Sequence, residues 1–521
     1  MYDLLFKDAR IFDGTGCPWF RGDLAVEGRR IAAVGKLDGA AAKRVIVADG
    51  LALAPGFIDI HSHSDTSILV NPGAESKIRQ GVTTEVVGQC GASAAPLVGR
   101  AREDNEPEPG EEELAISWGS MAEYMDAVDR KGVAVNIAPL IGHGQIRRCV
   151  MGYDRRPPTE DELRAMERLV AESMEAGAFG LTTGLIYPPG CYGDTDEVVA
   201  LAKVVAGYGG IYMSHIRNEE AGLLAAVEEA IDIGRRADLP VQISHHKACD
   251  QANWGRVKDS LALIEAARRE GIDVTADQYP YIATATGLSS IVPDWAHEGG
   301  PQALVARLGD PETRARLRRE VDAYQRVRGW DKIYVSSARG HRECEGKNLV
   351  EVGQSMGKEP VDAAFDLLID TGATAGMVRF AMCEEDVATV MRYPGTMIGS
   401  DSSAISPARG GMPHPRTYGT FPRVLGRYVR DLKVLTLEDA VRKMTGLPAW
   451  RLGLWDRGLI RPGYAADLVL FDPDAIADQA TFSDPHRFPV GIKVVVVNGA
   501  VTVEDGEQGS TRAGLCLRKG R

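Results

Sequence analysis

Gly56-Phe57-Ile58-Asp59-Ile60-His61-Ser62-His63 runs from an apolar segment into two histidines one residue apart. Phe57–Ile60 reads as a short buried strand. Alternation along a strand sends residues two apart to the same side, so both imidazoles can face one metal ion. The rest of the chain repeats the pattern. Seven further short apolar runs follow, at Thr83–Val87, Val133–Leu140, Phe179–Thr183, Ile211–Ser214, Val241–Ser244, Asp273–Ala276 and Met397–Ser400. Helix-like segments fall between most of them. Thr159-Glu160-Asp161-Glu162 is a capping-box start for a helix to about Ala176. Glu197–Val205, Glu219–Arg236, Trp254–Arg269 and Leu437–Thr445 also carry helical spacing. Eight such units predict an α/β fold, a (β/α)8 TIM-like barrel over residues 56–459, with the active site at the C-terminal strand ends.

The rhythm breaks once. Far more residues separate the seventh and eighth runs than one βα unit needs. Residues 285–350, rich in Arg and Pro with a helix-like part at Pro311–Arg326, are expected to form an insertion and candidate lid. Outside the barrel, residues 1–55 and 460–521 look alike, with short β-like runs and turn signals. Asp23–Val26 and Arg30–Val34 flank Glu27-Gly28-Arg29, and Lys493–Val497 and Ala500–Val503 flank Asn498-Gly499. Asn-Gly suits a type I′ hairpin, which needs φ > 0 at both central residues. The two ends are expected to meet in one small β-sandwich domain.

The 521 residues carry 60 Lys and Arg against 73 Asp and Glu, a formal net charge of −13. An acidic chain lacks a global basic footprint, so no nucleic-acid partner is expected. No apolar run reaches the ~18 residues of a membrane span, and Met1–Asp8 lacks the basic-then-apolar order of a targeting signal. Eight cysteines stand scattered without a CxxC pair, which fits neither a disulfide framework nor a zinc ribbon. A reducing cytoplasm is expected. Arg102–Glu113, acidic and polar, is expected to be an exposed loop.

Chemistry-bearing residues gather at the predicted strand ends. His215 ends Ile211–Ser214, His245 ends Val241–Ser244 and Asp401 ends Met397–Ser400. With His61 and His63 they converge only if the strands close into a barrel, where they would form a metal site. Singly, each has a plainer reading: a buried His can be hydrogen-bonded in a core, and Asp401 in Gly-Ser-Asp-Ser can cap a helix.

The stretch at 56–63 resembles the first-strand motif of the amidohydrolase superfamily. Further segments resemble its D-aminoacylase (N-acyl-D-amino-acid deacylase) family. They are Val87–Gly91, Gly184–Gly190, Ser214–Arg217, Ser244–Lys247, Asp277–Tyr281, Ile398–Asp401, His414–Arg416 and Ala465–Val469. The commoner two-metal amidohydrolases bridge their metals with a carboxylated lysine, but here no lysine ends the second or fourth strand. Cys90 follows the second strand instead. The resemblance implies Cys90, His215 and His245 as ligands of a tight Zn²⁺. It also implies a second, weaker site of His61, His63 and Asp401, bridged by Cys90. Of the adjacent pair, His245 stands nearer the strand end and should point inward, leaving His246 a supporting role. With zinc activating a water, Asp401 would take its proton and deliver it to the leaving amine.

The implied substrate is a small N-acyl amino acid whose carboxylate needs a cation. Lys247 and Tyr279 are the candidates supported by the family, with Arg379 and Arg416 beside them and Tyr187 lining the pocket. Ser289 and Ser290 are both open as helpers. The leading expectation is zinc-dependent hydrolysis of N-acyl-D-amino acids. An amidohydrolase for another linear or cyclic amide is the alternative, and a non-catalytic barrel a third. Neither side-chain preference nor oligomeric state is readable from these residues.

Overall fold

The computed structural model describes residues 1–103 and 114–520, so residues 104–113 of the expected acidic loop lie outside the described residues. Eight parallel strands build the barrel. They are β1 (Phe57–Asp59), β2 (Val82–Val87), β3 (Asn136–Pro139 continued by Ile141–Gly142), β4 (Gly180–Gly184), β5 (Ile211–His215), β6 (Val241–Ile243), β7 (Val274–Gln278) and β8 (Thr396–Ile398). One sheet runs β1-β2-β3. The other begins in the second half of β3 and runs through β4, β5, β6 and β7 to β8. The break in β3 at Leu140 is therefore one seam, and a parallel bridge between Ser62 and Ser402 closes the other. The strands are buried along their whole length, as expected when helices cover a parallel sheet. Helices Glu160–Ala176, Thr195–Gly207, Leu223–Ala237 and Val257–Arg269 pack outside, the first with the full Thr159/Glu162 capping box.

A buried cation locks the second seam. Lys77 is fully buried, and its Nζ donates to Asp59 Oδ2 (2.8 Å), Ser400 Oγ (2.6 Å) and the Ser402 carbonyl (2.7 Å). Asp59 lies on β1 and neutralises the charge, while Ser400 and Ser402 follow β8, so the cation's full set of partners is assembled only when the barrel is shut. Removing one member would leave the other buried and uncompensated.

Both chain ends enter one branched nine-stranded sheet. Tyr2–Ile11 pairs with Phe20–Glu27, Ala42–Val47 and Ala52–Pro55; Leu468–Phe471 then joins Ala52–Pro55 and leads to Ile492–Val497 and Ala500–Glu504. Leu4, Phe6, Leu24 and Leu53 share an apolar cluster with Leu468, Leu470, Val494 and Val496. The Asn498-Gly499 turn has φ of 47° and 82°, as its type requires. Residues 514–519 leave this sheet and run along the barrel, where Ile137 N donates to the Leu515 carbonyl (2.9 Å).

The insertion after β7 is larger than the 285–350 segment expected. Ala283–Gly287, Ile333–Ser337 and Gly376–Phe380 form a separate antiparallel sheet with Gly376–Phe380 in the middle. Leu288, Leu304, Leu317, Val335, Phe365 and Leu368 give it its own core. Gly376–Phe380 has the composition of any buried strand, and its partner lies far back in the chain, so local pattern does not reveal its membership. Helix Pro311–Arg328 leans back on the barrel, where Tyr324 Oη donates to Glu220 (2.7 Å).

Candidate metal centre

Barrel closure brings the strand-end residues together. His61, His63, Cys90 and Asp401 form one set of donors and Cys90, His215 and His245 another; within each set the ligand atoms lie within 4.8 Å of one another. Cys90 belongs to both. Its Sγ is 3.3 Å from His61 Nε2 and 3.4 Å from His245 Nε2. Asp401 Oδ1 is 3.0 Å from His63 Nε2 and 3.6 Å from His61 Nε2. His215 is buried with neither ring nitrogen hydrogen-bonded, although buried polar atoms are normally satisfied. A thiolate and imidazole donors at this spacing, one of them dry, fit zinc.

Three of these residues occupy a backbone conformation that L-residues avoid: φ is +54° at Cys90, +34° at His245 and +51° at Asp401. Such strain costs about 1–3 kcal/mol per residue and persists only where the surroundings impose it. Here the imposing bonds are visible. Asp277 Oδ1 accepts from His245 N at 2.7 Å, and the Asp277 carbonyl accepts from His246 N at 2.8 Å. Asp401 N donates to the His61 carbonyl at 2.8 Å, and Gly91 N donates to Thr182 Oγ1 at 3.1 Å. The bends turn side chains at the strand ends into the barrel mouth.

Carboxylates orient the histidines from behind. Asp277 Oδ1 is 3.1 Å from His61 Nδ1, and Glu219 Oε1 is 3.0 Å from His245 Nδ1. Asp277 holds His61 Nδ1 as the proton donor and leaves Nε2 toward Cys90, the usual arrangement behind a metal-binding imidazole, whereas His245 Nδ1 sits between Glu219 Oε1 and Lys247 Nζ, the latter at 2.7 Å. Neither carboxylate was assigned a role from sequence. His246 turns away, with Nε2 2.8 Å from Ser260 Oγ, and burial followed by the Lys247 charge lowers its pKa to about 4. Burial opposes ionisation of Cys90, but the His61 and His245 rings hold its thiol well below the usual range. Burial opposes ionisation of Asp401 too, yet Arg416 and His63 keep its carboxyl well below the ordinary value. The centre thus contains a thiolate and a carboxylate, and burial with His245 nearby keeps His215 neutral.

The model of the Amidohydrolase family matches residues 44–503. The chain belongs to this family, in its D-aminoacylase branch. D-aminoacylase of Alcaligenes xylosoxydans xylosoxydans is 39% identical, covering 99% of this chain and 98% of that protein. The crystal structure of N-acyl-D-glutamate deacylase from Bordetella bronchiseptica is 37% identical, with a TM-score of 0.86 and 99% coverage of both chains. That enzyme was solved with zinc and a phosphonate that mimics the tetrahedral intermediate. A D-aminoacylase structure is 37% identical with a TM-score of 0.84 over 100% of both chains; its binuclear centre was studied for one-metal activation and second-metal attenuation.

In this amidohydrolase the carboxylated-lysine arrangement is sterically closed. A Cβ at Gly184, which ends β4, would lie 2.1 Å from the Cys90 carbonyl oxygen. The centre opens into a cavity of about 970 Å³ lined by Tyr187, Lys247, Tyr279, Ser290, Arg379 and Arg416 among others. Ser289 lines an adjoining cavity of about 180 Å³ instead. Tyr187 lies edge-on to His215 with ring centroids 4.9 Å apart, and its hydroxyl accepts from Thr286 Oγ1 at 3.1 Å. The cations are not idle: Lys247 Nζ is 2.5 Å from Glu219 Oε1, and Arg379 Nη2 is 3.0 Å from Asp250 Oδ1. Arg416 Nη1 is 2.8 Å from Asp401 Oδ2. No helix among the described residues is long and apolar enough to cross a membrane.

Proposed function

We propose that this chain hydrolyses the amide bond of N-acyl-D-amino acids, releasing a carboxylate and the free D-amino acid, with zinc held by Cys90, His215 and His245. The carrying observation is Asp401. Its Oδ1 faces the donor cluster at 3.0 Å from His63, while Arg416 is paired with Oδ2, so one carboxylate oxygen is turned toward the donor cluster, where it can take a proton from an attacking water. Zinc held by Cys90, His215 and His245 would supply a Lewis acid and acidify a water. Asp401 then accepts the water proton on Oδ1 and returns it to the amide nitrogen as the C–N bond breaks. Tyr187, beside His215, is placed against the substrate carbonyl end. Lys247, Tyr279 and Arg379 line the same cavity and would supply the charge and hydroxyl for the α-carboxylate. Asp277 and Glu219 keep the two ligand rings in register.

The D-configuration rests on the relatives, two of which are a D-aminoacylase and an N-acyl-D-glutamate deacylase. A reducing compartment, the cytoplasm, is supported by eight free thiols, one of which the centre needs reduced. The test is amine release by the zinc-loaded protein from matched N-acetyl-D- and N-acetyl-L-amino acids. Release from the D series alone is expected, and it also reads out the preferred side chain. Release from the L series would overturn the stereochemistry, and silence with zinc bound would overturn the substrate class.

A further inference from the structure

Arg416 stands where its charge can decide how many metals the centre holds. It opens the helix Arg416–Arg423 and is almost wholly buried. Three contacts fix it. Its guanidinium lies over the Tyr279 ring at 4.6 Å from the centroid, and Nη2 donates to the Ala285 carbonyl at 3.2 Å. Its backbone N donates to His414 Nδ1 at 3.0 Å, while His414 Nε2 donates to the Ala283 carbonyl at 3.0 Å. The side chain therefore cannot swing away, and it places Nη1 at 2.8 Å from Asp401 Oδ2.

The two donor sets differ in one respect that this cation senses. Cys90, His215 and His245 do not include Asp401, whereas the set of His61, His63 and Cys90 does. We infer that Arg416 is a positioning residue that pairs with Asp401 Oδ2, leaves Oδ1 turned toward His63 and the donor cluster for proton transfer, and disfavours a second metal at the Asp401 set while sparing the first. The physics is direct. A guanidinium fixed in a buried site opposes a dication competing for the same carboxylate. A carboxylate with one oxygen held also cannot chelate a metal through both. This inference rests on the proposed role of Asp401, but its metal arm does not.

The competing role is substrate binding, because Arg416 Nε is buried without a hydrogen-bond acceptor among the described residues, and Nη1 meets Asp401 Oδ2 as an ion pair outside hydrogen-bond geometry. The experiment separates the two. Enzyme loaded with one zinc is titrated calorimetrically with further zinc, for the parent and for Arg416→Met, and both are assayed at one zinc per chain. Second-zinc binding is expected to tighten by about tenfold or more, the scale on which one opposite charge shifts a carboxylate equilibrium. The kcat of the one-zinc enzyme is expected to fall about 10–100-fold, as when an outer partner of a metal site is lost, with KM little changed. Arg416→Lys, which keeps the charge, should restore weak second-zinc binding. A raised KM with unchanged kcat and unchanged second-zinc affinity would overturn the inference and make Arg416 a substrate-binding residue. If Arg416→Met does not fold, Arg416→Gln keeps a donor for the Ala285 carbonyl and yields the same readings. Absence of hydrolysis by the parent would instead strike the proposed function, leaving the zinc titration to decide the role of Arg416.

Discussion

Asp401→Asn is expected to keep its zinc and lose about 10²–10⁴ of its turnover, the contribution typical of a positioned acid–base group. The metal should stay because the donor set proposed to hold it, Cys90, His215 and His245, does not contain Asp401. The chemistry should go because an amide has one oxygen, not two. Arg416 carries only donors, so the asparagine oxygen would turn to it and leave the NH₂ facing His63. No acceptor would then remain where the water proton must go. Turnover and zinc content measured on the same preparation test this, and near-parent turnover with zinc bound would remove Asp401 from the mechanism.

Cys90→Ala is the second large effect, of a different kind. The thiolate is shared by both donor sets, so its loss strips one ligand from each at once. Metal affinity should fall by more than the about 10–100-fold that loss of an outer hydrogen-bonding partner costs. Three buried histidines, the partly exposed His63 and a carboxylate would then face one another without the central anion, and activity should vanish with the metal. Zinc content by elemental analysis after gel filtration is the measure. A full complement of zinc in the variant would refute the bridging role.

Much of this centre was legible because barrel geometry turns strand ends into one place. The His-x-His after β1, the histidine that ends β5 and the first of the pair after β6 needed only the eight-strand count to become neighbours. What stayed hidden depends on contacts distant in sequence or on loop conformation. Glu219 fits the spacing of the helix that follows, but the helix starts at Leu223 and the loop before it aims the carboxylate at His245. Asp277 stood just past the predicted strand Asp273–Ala276, and only the folded chain puts it inside a buried strand against His61, which lies far back in the chain. Arg416 was open to a substrate role, and only the folded chain pairs it with Asp401. The insertion ends at Phe380 and not near 350 because its central strand looks like any barrel strand. Lys77 gave no sign that it seals the barrel, since a lone lysine in sequence most often lies at the surface.

The most direct test of the account is zinc add-back. The protein is stripped with a chelator, zinc is returned in measured equivalents, and amine release from an N-acetyl-D-amino acid is followed at each step. Activity is predicted to be absent without metal, to rise in proportion to zinc and to peak at one equivalent per chain. Full activity in the stripped protein, or none until two equivalents are bound, would contradict a one-metal centre built on Cys90, His215 and His245.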